Sequence, residues 1–326
     1  MDKLSIVVPV YYNEDNLRPL YRDIKEKVLD KRAFDYEIVM VDDGSLDKSW
    51  DVMKELADQD EHIRLVHLSR NFGSHAAILC GLTASTGDCA VVKAADLQEP
   101  SELILEMYQA WKEGSNVVLA VRNEREDKSF FSELYYWLMR KVALPSMPKH
   151  GFDVFLIDRK VIKTLELMDE KNSALTGQIL WSGFKTKIVY YNRRAREIGK
   201  SKWTLKKKFK LVFDTLFSFS TVPITVVTWL GVISAAIAVI WGLSVFVSKL
   251  LGRIPVQGFA MLFIFQLFSF GTIMMTLGLL GNYLWRTFDA SRGRPIYIVE
   301  ERYEKADGGQ SHAEDTDQEQ RYPSVY

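Results

Sequence analysis

The chain has 326 residues, room for one large domain or two smaller ones, and its 48% hydrophobic content supplies ample core, which excludes a wholly unstructured polymer. Its 42 Lys and Arg residues cancel its 42 Asp and Glu residues, so net charge points to no class of partner and the distribution of charge matters more. Cys80 and Cys89 sit in apolar surroundings with no CxxC pairing, which argues for reduced core thiols against a disulfide framework or a zinc site.

Met1-Asp2-Lys3 leads straight into an apolar run, so no signal peptide is expected and the bulk of the chain is expected in the cytosol. Leu4 to Pro9 reads as a strand buried on both faces, and Val10 to Asn16 as the loop after it. Leu17, Leu20, Ile24 and Val28 recur at helical spacing. Tyr36 to Val41 is a strand, Asp42-Asp43-Gly44-Ser45 a turn, and a helix runs through Trp50, Met53 and Leu56. Ile63 to Leu68 and Ser74 to Ser85 repeat the pair, as do Ala90 to Ala94 and Glu102 to Trp111, before a fifth strand at Val117 to Val121. Pro145 and Pro148 end a helix expected from about Ser129 to Leu144. Strand Phe152 to Ile157, helices near Val161 to Leu167 and Ala174 to Trp181, and strand Lys187 to Tyr191 complete the domain. This alternation predicts an α/β domain over residues 1–192 with a mostly parallel sheet covered on both sides.

The character changes at Arg193. Residues 193–219 carry Arg193, Arg194, Arg196, Lys200, Lys202 and Lys206 among aromatic residues, and an amphipathic basic segment just before a long apolar one suits an anionic membrane surface. No charged residue occurs from Thr215 to Ser248, nor from Ile254 to Trp285, and each run exceeds the roughly 20 residues that cross a hydrocarbon core. Two transmembrane helices are expected near 222–247 and 259–284, within residues 220–286. Lysines and arginines flank the pair, at Lys210 before it and Arg286, Arg292 and Arg294 after it, which by the positive-inside rule puts both termini on the cytosolic side of the inner membrane. Residues 287–326 form a cytosolic end that turns polar and is expected to be unstructured after about residue 304. A lipid bilayer is thus an expected partner and nucleic acid is not.

Three loops leave the carboxyl ends of the first, second and fourth strands: Val10 to Glu14, Asp42 to Ser45, and Asp96 to Pro100. In a doubly wound sheet they converge on one crevice. Asp96, Gln98 and Glu99 offer hard oxygen donors suited to a divalent metal carrying a diphosphate. Gathered acidic groups would repel a bare anion, so a metal or a hydroxyl-rich ligand is implied. A ribose, a uracil or guanine ring and a metal-bound diphosphate satisfy all three loops. Ala94 stands two before Asp96, where an Asp-x-Asp site wants its first carboxylate, and strand alternation turns Lys93 to the other face. His67 and His75 are read as structural, because no acid or base is required.

SIVVPVYYNE at Ser5 to Glu14, VDDGSLD at Val41 to Asp47, ADLQEP at Ala95 to Pro100, GFDVFLIDRKV at Gly151 to Val161 and REIGKSKW at Arg196 to Trp203 follow in order. Together the chain resembles family 2 glycosyltransferases with a GT-A fold, over residues 4 to 295. The two spans narrow the resemblance to polyprenyl-phosphate glycosyltransferases of the bactoprenol glucosyltransferase and dolichyl-phosphate mannose synthase type.

The resemblance implies that Pro9, Tyr11 and Glu14 line the base and ribose, with Asp42 and Asp43 beside them. It implies Asp96 and Gln98 as holders of Mg2+ or Mn2+, a weaker hold where Ala94 replaces the first aspartate, and Arg122 on the donor phosphate. It brings Arg196, Ser201, Lys202 and Trp203 to the donor and acceptor phosphates, Asp153 to the sugar or its loop, and a homo-oligomer, a tetramer in the family. Phe130 and Phe131 stand where the family has a second arginine. The implied reaction moves a hexose, glucose foremost, from a UDP-linked nucleotide sugar to a polyprenyl phosphate with inversion. A GDP-mannose donor, or a silent protein that binds nucleotide sugar or lipid phosphate without turnover, are the alternatives.

Overall fold

The computed structural model describes residues 1–123, 136–137, 139–168, 170, 173–193, 217–252, 259–305 and 311–313. The chain divides into two compact units, one of Met1–Leu211 with Pro295–Tyr326 and one of Val212–Arg294.

The first unit is built on a mixed sheet. Its strands are β1 (Lys3–Val10), β2 (Asp35–Asp42), β3 (Ile63–Leu68), β4 (Cys89–Val92), β5 (Val117–Arg122), β6 (Val154–Asp158), β7 (Thr186–Tyr191), β8 (Val299–Lys305) and β9 (Ser311–Ala313), in the spatial order β7-β5-β6-β4-β1-β2-β3-β8-β9. β1 pairs in parallel with β2 and β4, β2 with β3, and β5 with β7, while β6 is antiparallel to β4 and β5, and β8 to β3 and β9. Among the described residues only β6 and β8 therefore run against the common direction, and the sheet is mostly parallel in that sense.

Helices α1 (Glu14–Lys27), α2 (Ser49–Gln59), α3 (Ser74–Ala84), α4 (Leu103–Lys112), α5 (Arg159–Glu166) and α6 (Leu175–Trp181) fill the connections. Alternation along β1 sends Leu4, Ile6, Val8 and Val10 into a core shared with Leu17, Leu20 and Ile24 of α1, Met53 of α2 and Met107 of α4. Full burial of such side chains contributes roughly 1.5–3 kcal/mol each. Val7 faces the other side, where α3 lies so close that a Cβ on Gly81 would stand 2.4 Å from Val7 Cγ1. Only glycine permits that approach.

The predicted strands and helices of residues 4–123 recur within about three residues of their expected ends; α1 begins at Glu14, inside the stretch expected to be loop, and α2 runs on to Gln59. Half of the helix expected from Ser129 to Leu144 lies outside the described residues, and 136–137 and 139–142 are helical. β8 was not anticipated: Val299–Lys305 reads VEERYEK, a charged segment, yet it lies along the edge of β3. Arg64 pairs with Glu304, Lys54 with Glu301 at 3.0 Å, and the Tyr303 hydroxyl donates to Asp58 Oδ1 at 2.6 Å. The polar pattern is that of an edge strand held by its flanks rather than by a core face. Beyond Lys305 the described residues are 311–313, which pair with β8.

The second unit contains two long helices, α7 (Val222–Leu250) and α8 (Phe259–Ser291), of 29 and 33 residues. At 1.5 Å per residue each is longer than the about 30 Å of a hydrocarbon core. Their apolar side chains, including Ile233, Ile240, Leu243, Ile273 and Leu284, are exposed, as helices built to face lipid would leave them. Trp241 and Phe265 meet edge to face with centroids 5.8 Å apart.

Candidate active site

The carboxyl ends of β1, β2, β4, β5 and β7 and the amino end of β6 lie on one edge of the sheet, which is where most of the predicted site residues fall. They gather as two adjoining groups.

The first group follows β1 and β2. Pro9, half-buried, precedes the buried last residue of β1, Val10; Tyr11 lies in the loop that follows and Glu14 opens α1, and this stretch is sewn to the β2 turn. Tyr12 N donates to Ser45 Oγ at 2.9 Å, Asn13 N to Ser49 Oγ at 2.9 Å, Lys48 N to Glu14 Oε2 at 2.8 Å, and Asp43 N to the Val10 carbonyl at 2.9 Å. Gly44 makes the turn possible: its φ is +68°, and a Cβ there would stand 2.5 Å from the Arg70 carbonyl carbon.

Asp42 is fully buried; its Oδ1 accepts the Ser45 hydroxyl at 2.5 Å, and its Oδ2 stands 2.8 Å from His67 Nδ1. The hydrogen bond to Asp42 raises the pKa of His67 against its burial. His67 also lies 3.6 Å from Glu300 of β8 and packs on Trp50. Asp43 accepts from Phe72 N at 2.7 Å, from Gly73 N at 2.9 Å and from Asn71 Nδ2 at 2.9 Å. Burial raises its pKa, with those N–H groups pulling the other way. Asp42, Asp43 and Glu14 thus spend their oxygens on fixing the loops around the crevice.

The second group follows β4, β5 and β7. Leu97, at φ +58°, turns the chain sharply after Asp96, and Gln98 N donates back to Asp96 Oδ1 at 3.3 Å. Lys93, the residue after β4, is 1% exposed, and its ammonium donates to the Glu99 carbonyl at 2.5 Å and lies 3.9 Å from Glu99 Oε2. Burial raises the pKa of Glu99, with Lys93 opposing. Arg193, just past β7, donates from Nη2 to Gln98 Oε1 and stands 3.9 Å from Asp96 Oδ2 and 3.8 Å from Glu99 Oε1. Arg122, at the end of β5, is paired with Asp153 and lies 3.4 Å from the Tyr191 hydroxyl.

Arg196, Ser201, Lys202, Trp203, Phe130 and Phe131 lie outside the described residues. Neither Lys93 nor Arg193 was singled out in the sequence as part of the site. The signal for Arg193 was positional: it directly follows a strand parallel to β5, so it must emerge on the same edge as Asp96.

Among the described residues no group of three or more His, Cys, Asp or Glu side chains gathers as a metal site. Asp96 and Gln98 nevertheless draw a cation, because a guanidinium already lies against both. A divalent ion fits this pair as two protein oxygens whose remaining partners would come from a diphosphate. The carboxylates, the amide and the two arginines gathered on this edge can hold a cation and meet phosphate oxygens.

Residues 5–222 match the sequence model of glycosyl transferase family 2. YkcC, an uncharacterized glycosyltransferase of Bacillus subtilis (strain 168), is 36% identical over 303 residues, which is 92% of this chain and 94% of the relative. The bactoprenol glucosyl transferase of Shigella phage SfV is 32% identical over 307 residues, 93% of this chain and 100% of the relative. Among solved structures, mannosyl-3-phosphoglycerate synthase from Rubrobacter xylanophilus is 16% identical with a TM-score of 0.48, over 66% of this chain and 72% of that one.

Proposed function

The chain belongs to glycosyl transferase family 2, and from that premise we propose that it moves a glucosyl residue from UDP-glucose to a polyprenyl phosphate at the cytosolic face of a membrane. It is a glycosyltransferase. The observation that carries the finer reading is the end-to-end likeness to bactoprenol glucosyl transferases, which extends past the sheet domain through both long apolar helices. A catalytic domain joined to two such helices suits an acceptor whose phosphate is in water and whose chain is in lipid. Those same relatives leave a GDP-mannose donor and a silent binder less well supported.

In this reading Pro9 and Tyr11 line the base and ribose, and Glu14, Asp42 and Asp43 hold the loops that place them. The acceptor phosphate is anionic at neutral pH and needs no base. One of its oxygens attacks the anomeric carbon in line; the bond from that carbon to the donor's β-phosphate oxygen breaks, UDP leaves with the electron pair, and configuration inverts. A divalent cation, Mg2+ or Mn2+, held by Asp96 and Gln98 would screen the charge that builds on the departing diphosphate. Arg122, steadied by Asp153 and Tyr191, adds a fixed positive group on the same edge. Arg196, Ser201, Lys202 and Trp203 are assigned to the donor and acceptor phosphates.

Membranes containing the protein, incubated with radiolabelled UDP-glucose, polyprenyl phosphate and Mn2+, are expected to place label in the lipid fraction. Asp96→Ala is expected to lower the rate at least ~100-fold, the scale of losing one electrostatic stabiliser. Absence of labelled lipid with any nucleotide sugar would refute the transferase assignment for this acceptor.

A further inference from the structure

Arg193 occupies ground that the proposed function reserves for a metal ion. Its Nη2 donates to Gln98 Oε1 and lies 3.9 Å from Asp96 Oδ2 and 3.8 Å from Glu99 Oε1. Glu99 has a second cation behind it, with Lys93 Nζ 3.9 Å from its other oxygen. Two cationic side chains, Arg193 and Lys93, therefore face the two carboxylates of this loop before any ligand arrives. A divalent ion bound at Mg2+ or Mn2+ distances of about 2.1 Å needs the Gln98 oxygen for itself. The same amide oxygen cannot serve a guanidinium and a divalent ion side by side without strong repulsion between them. A planar fork displaced from Gln98 within a crevice that has just received a diphosphate finds there the oxygens it matches best.

We infer that Arg193 is a resident counter-ion of Asp96 and Gln98, which the metal-bound diphosphate displaces and which then bonds to that diphosphate. The inference rests on the reading of Asp96 and Gln98 as the metal's protein donors. Its consequence is that metal and nucleotide bind as a pair. Metal alone must evict Arg193 from Gln98 and leave it only Glu99, which Lys93 already faces, whereas metal with UDP supplies a diphosphate. Arg193 so ties cation loading to donor loading at a site with Ala94 where an Asp-x-Asp pair would have its first carboxylate.

The test is Mn2+ binding by the full chain in detergent, followed by the electron paramagnetic resonance of the free ion, with and without UDP. Arg193→Gln is expected to bind Mn2+ alone roughly tenfold more tightly than the unaltered protein, and the gain in Mn2+ affinity that UDP confers is expected to shrink by a similar factor. The KM for UDP-glucose should rise in the same variant. Arg193→Lys, which keeps charge but loses the fork, is expected to fall between, and serves if the glutamine variant melts at a lowered temperature. Unchanged or weaker binding of Mn2+ alone by a folded Arg193→Gln protein would overturn the exchange while leaving the metal site standing. Equal Mn2+ binding by Asp96→Asn and the unaltered protein, with UDP present, would instead remove the metal reading, and the exchange with it.

Discussion

Gly44 and Glu37 show how single residues hold the two ends of the sheet, Gly44 at the carboxyl ends where the site lies and Glu37 at the amino ends opposite. Gly44 holds φ at +68° against the backbone of Arg70 and Asn71, so Gly44→Ala meets both a left-handed conformation, costing roughly 1–2 kcal/mol, and a steric clash. Thermal unfolding of that variant is expected to show a loss larger than the conformational cost alone. Glu37 is 2% exposed; burial opposes its ionisation, but hydrogen bonds from Ser5 Oγ and from the Thr86 amide and hydroxyl outweigh it, with Lys3 beside them, and bring its pKa down to about 2. Because the folded value lies below the unfolded one, the stabilisation is complete above pH ~4.5 and is lost as pH falls toward about 2. Glu37→Gln should thus melt lower than the unaltered protein at pH 7, by on the order of 2 kcal/mol after allowance for screening, and the gap should close in acid. At this scale the places of residues were more legible in the sequence than their contacts. Asp42, Asp43 and Asp96 were legible from their place after strands, whereas the burial of Asp42 against His67 and the approach of Arg193 to Gln98 depend on side chains from strands far apart in sequence.

Among the elements, β1 to β5 were legible because buried strands of Val, Ile and Leu alternate with helices whose apolar residues recur at three and four. β8 was not, for a physical reason: an edge strand needs no apolar face, and VEERYEK earns its place through main-chain pairing with β3 and through ion pairs that only the folded sheet brings together. Removal of residues 299–326 is expected to expose the unpaired edge of β3. The truncated protein should melt at a lower temperature and aggregate on heating at concentrations where the full chain stays dispersed, as measured by light scattering. A truncated chain as stable and dispersed as the full one would show β8 to be ornamental.

At the scale of the whole molecule, β3 precedes the two long apolar helices and β8 follows them, yet both lie in one sheet. The segment between them must begin and end on the same side of any membrane its helices cross, which permits two crossings and forbids one. Reporters fused to the two ends are therefore expected on the same side, with a reporter inserted within residues 251–258 on the other; ends on opposite sides would contradict the pairing. The same closure has a consequence in time. Arg64 and Glu304 are 240 positions apart, so at 5–20 residues per second β3 waits roughly 12–48 s during synthesis for its last partner. Over that interval both long apolar helices emerge, and in a membrane enzyme they would have to insert before β8 arrives. A chain that stalls at insertion cannot deliver β8, and its open strand edge remains as a mark that quality-control proteases and chaperones can read.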